Sequence, residues 1–198
     1  FYRDRFKEPF KYVLVSFMLG VSIVYPLDYL IIIVDYFSGA ILFSNIIVYN
    51  LFDSFFRAAF LEEGLKFIII YFFCTKLPAF NERYDALVYS AAVGLGYAGM
   101  ENIRYLYVHG SGMTDRLYPL FSHLGFALIM GLFLKKSIFN KFNTKICIFL
   151  SLCLPVLIHG LHNFLLSIPS TLTIFLWIIL LALNFLFIIF MILYSRNF

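Results

Sequence analysis

Charge is the first thing in short supply. Asp, Glu, Lys and Arg make up 13% of the 198 residues, about half the share of a typical soluble domain. So few charges cannot cover a water-soluble surface, which excludes an ordinary soluble domain. Cysteine is nearly absent too. Cys74, Cys147 and Cys153 are odd in number, lie in or beside apolar runs and show no ligand spacing. That excludes a disulfide framework and leaves them as packing residues. No internal repeat or low-complexity linker divides the chain, so residues 1–198 read as one domain. What fills the sequence is 63% hydrophobic and 21% aromatic residues, in runs long enough to cross about 30 Å of hydrocarbon. The fold class follows: all-α, a polytopic transmembrane helical bundle in a lipid bilayer.

About six spanning segments stand out, at roughly 11–34, 51–74, 85–108, 118–134, 146–167 and 171–195, each the length of a helix able to cross hydrocarbon. Between the first two, Gly39, Asn45 and Asn50 interrupt an apolar stretch. It reads as a loop, a re-entrant piece or an extension of the second helix. Pro26 should kink or end the first helix, and Pro78, Pro119 and Pro169 fall at boundaries. The chain starts at Phe1 rather than methionine, so residues are expected to precede it. The run after Lys11 is too long for a signal-peptide core and has no small-residue cleavage site.

Basic residues set the orientation. Arg3, Arg5, Lys7 and Lys11 precede the first segment, Lys76 and Arg83 sit in the 75–84 gap, Lys135, Lys136, Lys141 and Lys145 in the 135–145 gap, and Arg196 near the end. The alternate gaps hold only Arg116. The positive-inside rule then places Phe1, those two gaps and the C-terminus in the cytoplasm of a cell-membrane protein. Because the net charge of +4 sits in such gaps, no nucleic-acid partner is expected.

Three basic residues, Arg57, Lys66 and Arg104, lie inside apolar segments with Glu62, Glu63, Glu101, His123, His159 and His162. Each charge near the bilayer centre costs about 2.5–3.5 kcal/mol, and such residues are functional candidates by default. In Phe60-Leu61-Glu62-Glu63-Gly64-Leu65-Lys66, Glu62 and Lys66 are four apart on one helix face. An ion pair that lets the helix insert would need one carboxylate, not two. One of the two glutamates is a candidate general base on water. Around Gly94-Leu95-Gly96-Tyr97-Ala98-Gly99-Met100-Glu101-Asn102, small residues permit close helix packing. Glu101 there either joins a site or pairs with Arg104. His123 either joins the same site or hydrogen-bonds a neighbouring helix. In His159-Gly160-Leu161-His162-Asn163, His159 and Asn163 share a face, and the spacing is weakly compatible with metal ligation. Four helices, each with one polar constellation at similar depth, suggest a water-containing pocket suited to hydrolysis or to proton-coupled transport through a transporter or channel.

In this order the clusters resemble the PrsW family of intramembrane proteases, which cleave membrane-anchored anti-sigma factors. The resemblance runs through Asp4, Glu8 and Pro9, Glu62-Glu63-x-x-Lys66, Tyr84-Asp85, Gly94-x-Gly96-Tyr97 with Glu101-Asn102, His123 with Gly131, and His159-Gly160 with Asn163. It implies a hydrolase acting on a single-pass membrane protein, and a further helix before this stretch. The family is distantly similar to CAAX prenyl endopeptidases. By that likeness Glu62 is the base, Glu101 and His123 hold the water, His159 and Asn163 stabilise the oxyanion, and Glu63 and Lys66 tune Glu62. Tyr97 and Asn102 support the site. Tyr97 stands where phenylalanine is common, and Glu101 where the prenyl enzymes have histidine. The resemblance favours no cofactor; the alternative is one divalent metal such as zinc on Glu101, His123 and His159. His162 matches no motif position and receives no role. With the charge-based orientation, all four clusters fall between mid-membrane and the outer face, so cleavage is expected near that face. Positions 112 and 141 would then lie on opposite sides.

Overall fold

The computed structural model describes residues 8–38, 45–110, 117–140 and 143–194, and these contain helices and no strand. Asp4, Gly112 and Lys141, named above, lie outside them. The first segment is two helices, α1 (Phe10–Ser22) and α2 (Val24–Ser38), broken at Ile23. Pro26 sits in the first turn of α2, where it has no N–H to give to Ser22 and its ring crowds that carbonyl. Together they run 29 residues, past the expected end at 34.

The second segment starts earlier than the apolar pattern indicates. Asn45 caps α3 (Ile46–Leu51) by accepting from the Ile47 amide at 2.8 Å. A π-helical stretch, Phe52–Phe60, leads directly into α4 (Leu61–Phe72). Residues 46–50 are therefore an extension of the second helix; residues 39–44 fall outside the described set. A short 3₁₀ turn, Cys74–Lys76, follows α4. Next come α5 (Asp85–His109), α6 (Leu117–Ile138), α7 (Thr144–Ser167) and α8 (Thr171–Tyr194). Four of the helical units are long and apolar enough to cross a membrane: 10–38, 117–138, 144–167 and 171–193. Outside this set stand α5 and the 46–72 run. They are the two stretches that carry all three intramembrane glutamates.

Small residues place α5 at the centre, packed against α1 and α6. A Cβ on Gly96 would strike the Phe17 carbonyl of α1, and one on Gly94 would meet Ala127 and the His123 carbonyl of α6. The backbones therefore touch, as small-residue faces allow in lipid. Tyr89, Val93, Tyr97, Ile70, Met130 and Leu134 fill the interior. Large apolar side chains such as Tyr29, Tyr36 and Leu183 face outward, the arrangement expected where the surroundings are hydrocarbon.

One end of the bundle gathers the charged turns. The Asp85 carboxylate accepts from the Asn81 and Glu82 amides at 2.7 and 2.6 Å, tying down the turn before α5. Phe80 stacks between Tyr89 and Phe139, and the Tyr89 hydroxyl donates to Glu8. Glu8 and Asp85 thus brace this end and stand apart from the polar cluster.

Candidate active site

Glu62 and Glu63 open α4, immediately after the π-helical stretch. They point into the bundle, toward α6 and α7, and a continuous polar network results. The Lys66 ammonium donates to Glu63 Oε1 at 2.7 Å and lies 3.0 Å from His123 Nδ1. His123 Nε2 lies 2.9 Å from Glu101 Oε2, and His159 Nδ1 lies 2.9 Å from Glu63 Oε1. Four helices therefore meet through Glu101, His123, Lys66, Glu63 and His159.

Donor and acceptor chemistry fixes the protons. An ammonium only donates, so His123 Nδ1 accepts and its Nε2–H donates to Glu101. A carboxylate only accepts, so His159 Nδ1–H donates to Glu63 and leaves Nε2 facing the cavity. Glu63 and Lys66 have no exposed side-chain surface. Their pairing differs from the expected Glu62–Lys66 ion pair, for Lys66 Nζ stands 3.9 Å from Glu62 and 2.7 Å from Glu63. Burial explains the choice, because a fully desolvated carboxylate needs the closer counter-charge. Lys66 also lies 4.1 Å above the Tyr97 ring, a cation–π contact that holds the ammonium on its other side.

Glu62 bonds the Tyr97 hydroxyl and keeps one oxygen toward the cavity. Its Oε2 has no hydrogen-bond partner among the described residues and stands 3.9 Å from both Lys66 Nζ and His159 Nε2. It lines a cavity of about 110 Å³ together with Glu101, His123, His159, His162 and Asn163. Phe126 lies flat on the His159 ring, at 5.0 Å and 19°, and fixes its plane. Tyr97 supports from behind, its ring edge-on to His123 at 5.2 Å. Asn102 is on α5 beside Glu101 and does not line the cavity.

The other intramembrane cations are accounted for elsewhere. Arg104 pairs with Asp28 at 2.9 Å, not with Glu101. Arg57 grips Asp35 through Nε and Nη2 at 2.6 and 3.0 Å and reaches Asp53 at 3.2 Å. Sequence reasoning missed Asp28, Asp35 and Asp53 as partners, although Asp28 lies within the first apolar run and Asp53 within the second. It also gave no role to His162, which is buried, lines the cavity and presents an Nε2 with no hydrogen-bond partner among the described residues. The signal was its place three residues after His159.

The donors suit a divalent metal. Glu62, Glu63, His123 and His159 each offer one ligand atom, all within 4.8 Å of one another, and Glu62 Oε2 and Glu63 Oε2 have no hydrogen bond among the described residues. Imidazole and carboxylate together are a zinc-type donor set. This group shares His123 and His159 with the alternative set read from sequence, and has Glu62 and Glu63 in place of Glu101.

A helical membrane protein that holds carboxylates and imidazoles around an internal cavity is of the class that includes intramembrane hydrolases. A family profile described as PrsW family intramembrane metalloprotease matches residues 8–194. Proteins named Protease PrsW are similar to the chain. The one from Geobacillus kaustophilus is 36% identical over 80% of this chain and 68% of its own length. That from Bacillus subtilis is 36% identical over 82% and 73%, and that from Oceanobacillus iheyensis 32% over 88% and 79%. No solved structure matches. The chain belongs to the PrsW family of intramembrane proteases, and it is a multi-pass membrane hydrolase.

Proposed function

We propose that the chain cleaves a single-pass membrane protein, of the anti-sigma-factor kind, by water that Glu62 activates. The carrying observation is that Glu62 Oε2, with no hydrogen-bond partner among the described residues, lines a cavity shared with His159 and Asn163. Glu62 takes the proton of a water held against Glu101 and His123. Glu63 fixes the His159 Nδ1–H, so Nε2 is the nitrogen presented to substrate. Protonated there, His159 donates to the developing oxyanion. Asn163 turns its Oδ1 toward His162 at 3.4 Å, which leaves its amide N–H groups as further donors. Lys66 holds Glu63 ionised and sets the local charge.

A second reading rests on the donor spacing and on the family's description as metalloproteases. Glu62, Glu63, His123 and His159 would hold the ion, which would supply Lewis-acid polarisation and a more acidic water. We favour the first reading because the Lys66 ammonium already stands among Glu63, His123 and Glu62 as a fixed cation. Co-expression with tagged single-pass anti-sigma factors, wild type against Glu62→Ala, tests the activity: a cleavage product that disappears in the variant is expected. Purified enzyme is expected to keep full activity in strong chelators, with no metal on elemental analysis. Loss on chelation that zinc reverses would establish the metal reading instead.

The site opens toward the extracytoplasmic face in this reading. Lys76, Arg83, Lys135 and Lys136 lie on the turns and helix ends opposite the cluster, and the positive-inside rule makes that end cytoplasmic, with the C-terminus on the same side. Glu62 stands ten residues from Phe72 at that end of α4, about 15 Å at helical rise. Cysteines at Gly112 and Lys141 are expected to label from outside and inside respectively with an impermeant maleimide; the reverse pattern overturns the orientation.

A further inference from the structure

Glu101 is the most exposed member of the network. Its side chain is 35% accessible, against 13% for Glu62 and 6% for His123, with Glu63 fully enclosed. It borders two spaces. Inward lies the cavity already described. Outward lies a separate groove of about 230 Å³ between α2 and α5, lined by Val24, Leu27, Tyr97, Glu101, Tyr105 and Val108, with Arg104 at its rim. The groove therefore ends on the carboxylate that the catalytic cavity shares.

Its surroundings say what can reach it. Val108 and Tyr105 are exposed on the outer side of the groove. Arg104 is balanced by Asp28 at 2.9 Å, so the rim carries no net charge against an apolar visitor. Across the groove, α2 begins just after the break at Ile23. Two ion pairs fasten it, Asp28 to Arg104 and Asp35 to Arg57. The space is too small for a helix of about 10 Å diameter, but it seats side chains from one face of a segment lying along α2 and α5.

We propose that this groove is where the transmembrane segment of the substrate docks, entering sideways from the bilayer and presenting its backbone to Glu101. The inference rests on the proteolytic reading of the site. A lipid chain would match the apolar walls but offers no donor to the carboxylate at the inner end. A partly unwound peptide offers its N–H groups there and its carbonyl to the cavity beyond.

Photo-crosslinking tests the placement without needing cleavage. A photoreactive phenylalanine analogue is introduced at Tyr105 or Val108, and as controls at Ile179 or Leu183, which are exposed on α8. Each is placed in the Glu62→Gln protein, co-expressed in membranes with a tagged single-pass anti-sigma factor. Crosslinking to the tagged protein at the groove positions is expected at about tenfold the α8 level, the ratio that about 1.4 kcal/mol of docking preference gives. Val108→Trp is expected to lower the Tyr105 crosslink by a similar factor. Equal crosslinking at all positions, none in the groove, or adducts to lipid alone overturns the proposal. Failure of the two readings is separable. Groove crosslinks with cleavage that survives Glu62→Ala sink the base assignment and leave the docking site. Glu62-dependent cleavage without groove crosslinks does the opposite.

Discussion

Glu62→Gln is expected to abolish cleavage while the protein stays folded and inserted. Glutamine keeps the length and the hydrogen-bonding surface of the side chain but cannot take a proton from water. General-base catalysis contributes about 10²–10⁴-fold, and a loss in that range is the expected result. The side chain is well placed for a clean experiment. Its Oε2 makes no hydrogen bond among the described residues, its ionic neighbours stand 3.9 Å away, and glutamine can still accept from the Tyr97 hydroxyl that bonds the side chain. Circular dichroism and thermal unfolding should match wild type. Turnover retained by purified Glu62→Gln would remove Glu62 as the base.

Lys66→Met is expected to act through stability first. Lys66 and Glu63 form a pair with no exposed side-chain surface, closed at 2.7 Å. Methionine fills similar volume but leaves Glu63 as an uncompensated buried charge. Breaking such a pair costs about 3–5 kcal/mol. The same change removes the partner of His123 Nδ1 and frees that ring to lose its hold on Glu101. Removing both charges, Glu63→Gln with Lys66→Met, is expected to recover much of the stability and none of the activity. A titration of unfolding in detergent mixtures reads both. A Lys66→Met protein as stable as wild type would mean that Glu63 is held neutral and that the ammonium is dispensable to the fold.

The cluster is legible in the sequence because a charge in hydrocarbon is expensive enough to need a reason. Glu62, Glu63, Glu101, His123 and His159 stand out one helix at a time on that ground alone, and the structure brings them to one place. What each touches is not legible. Glu62 and Glu63 are adjacent in sequence, and only the direction in which α4 faces Lys66 and His159 decides which is enclosed. Arg104 is three residues from Glu101 and yet reaches Asp28, seventy-six residues away. Helical spacing alone does not separate a neighbour on the same helix from one on the next.

The fold divides in the same way. Long apolar runs give the helix count and Pro26 gives the break, because both depend on local backbone chemistry. The extension of the second helix back to Ile46 depends on an Asn45 cap, and Gly39, Asn45 and Asn50 together look more like a loop than a cap. The small-residue face of α5 is visible in sequence. That it lies against α1 on one side and α6 on the other is set by tertiary packing.

The π-helical stretch Phe52–Phe60 has a consequence for how the motif after it is aimed. Each of its turns takes up about one residue more than an α turn. Phe52, Phe56 and Phe60 stack along it at 5.4 and 5.6 Å, and Phe55 is pinned against Gly160 and Phe164 of α7. Between that pin and Glu62 the chain keeps a fixed phase. One residue fewer would turn the glutamate pair by about 100° around the axis relative to Phe55, away from the histidine on the very helix that holds the pin. The angular address of the two carboxylates is therefore written in the aromatic residues upstream of them, in letters that carry no chemistry of their own.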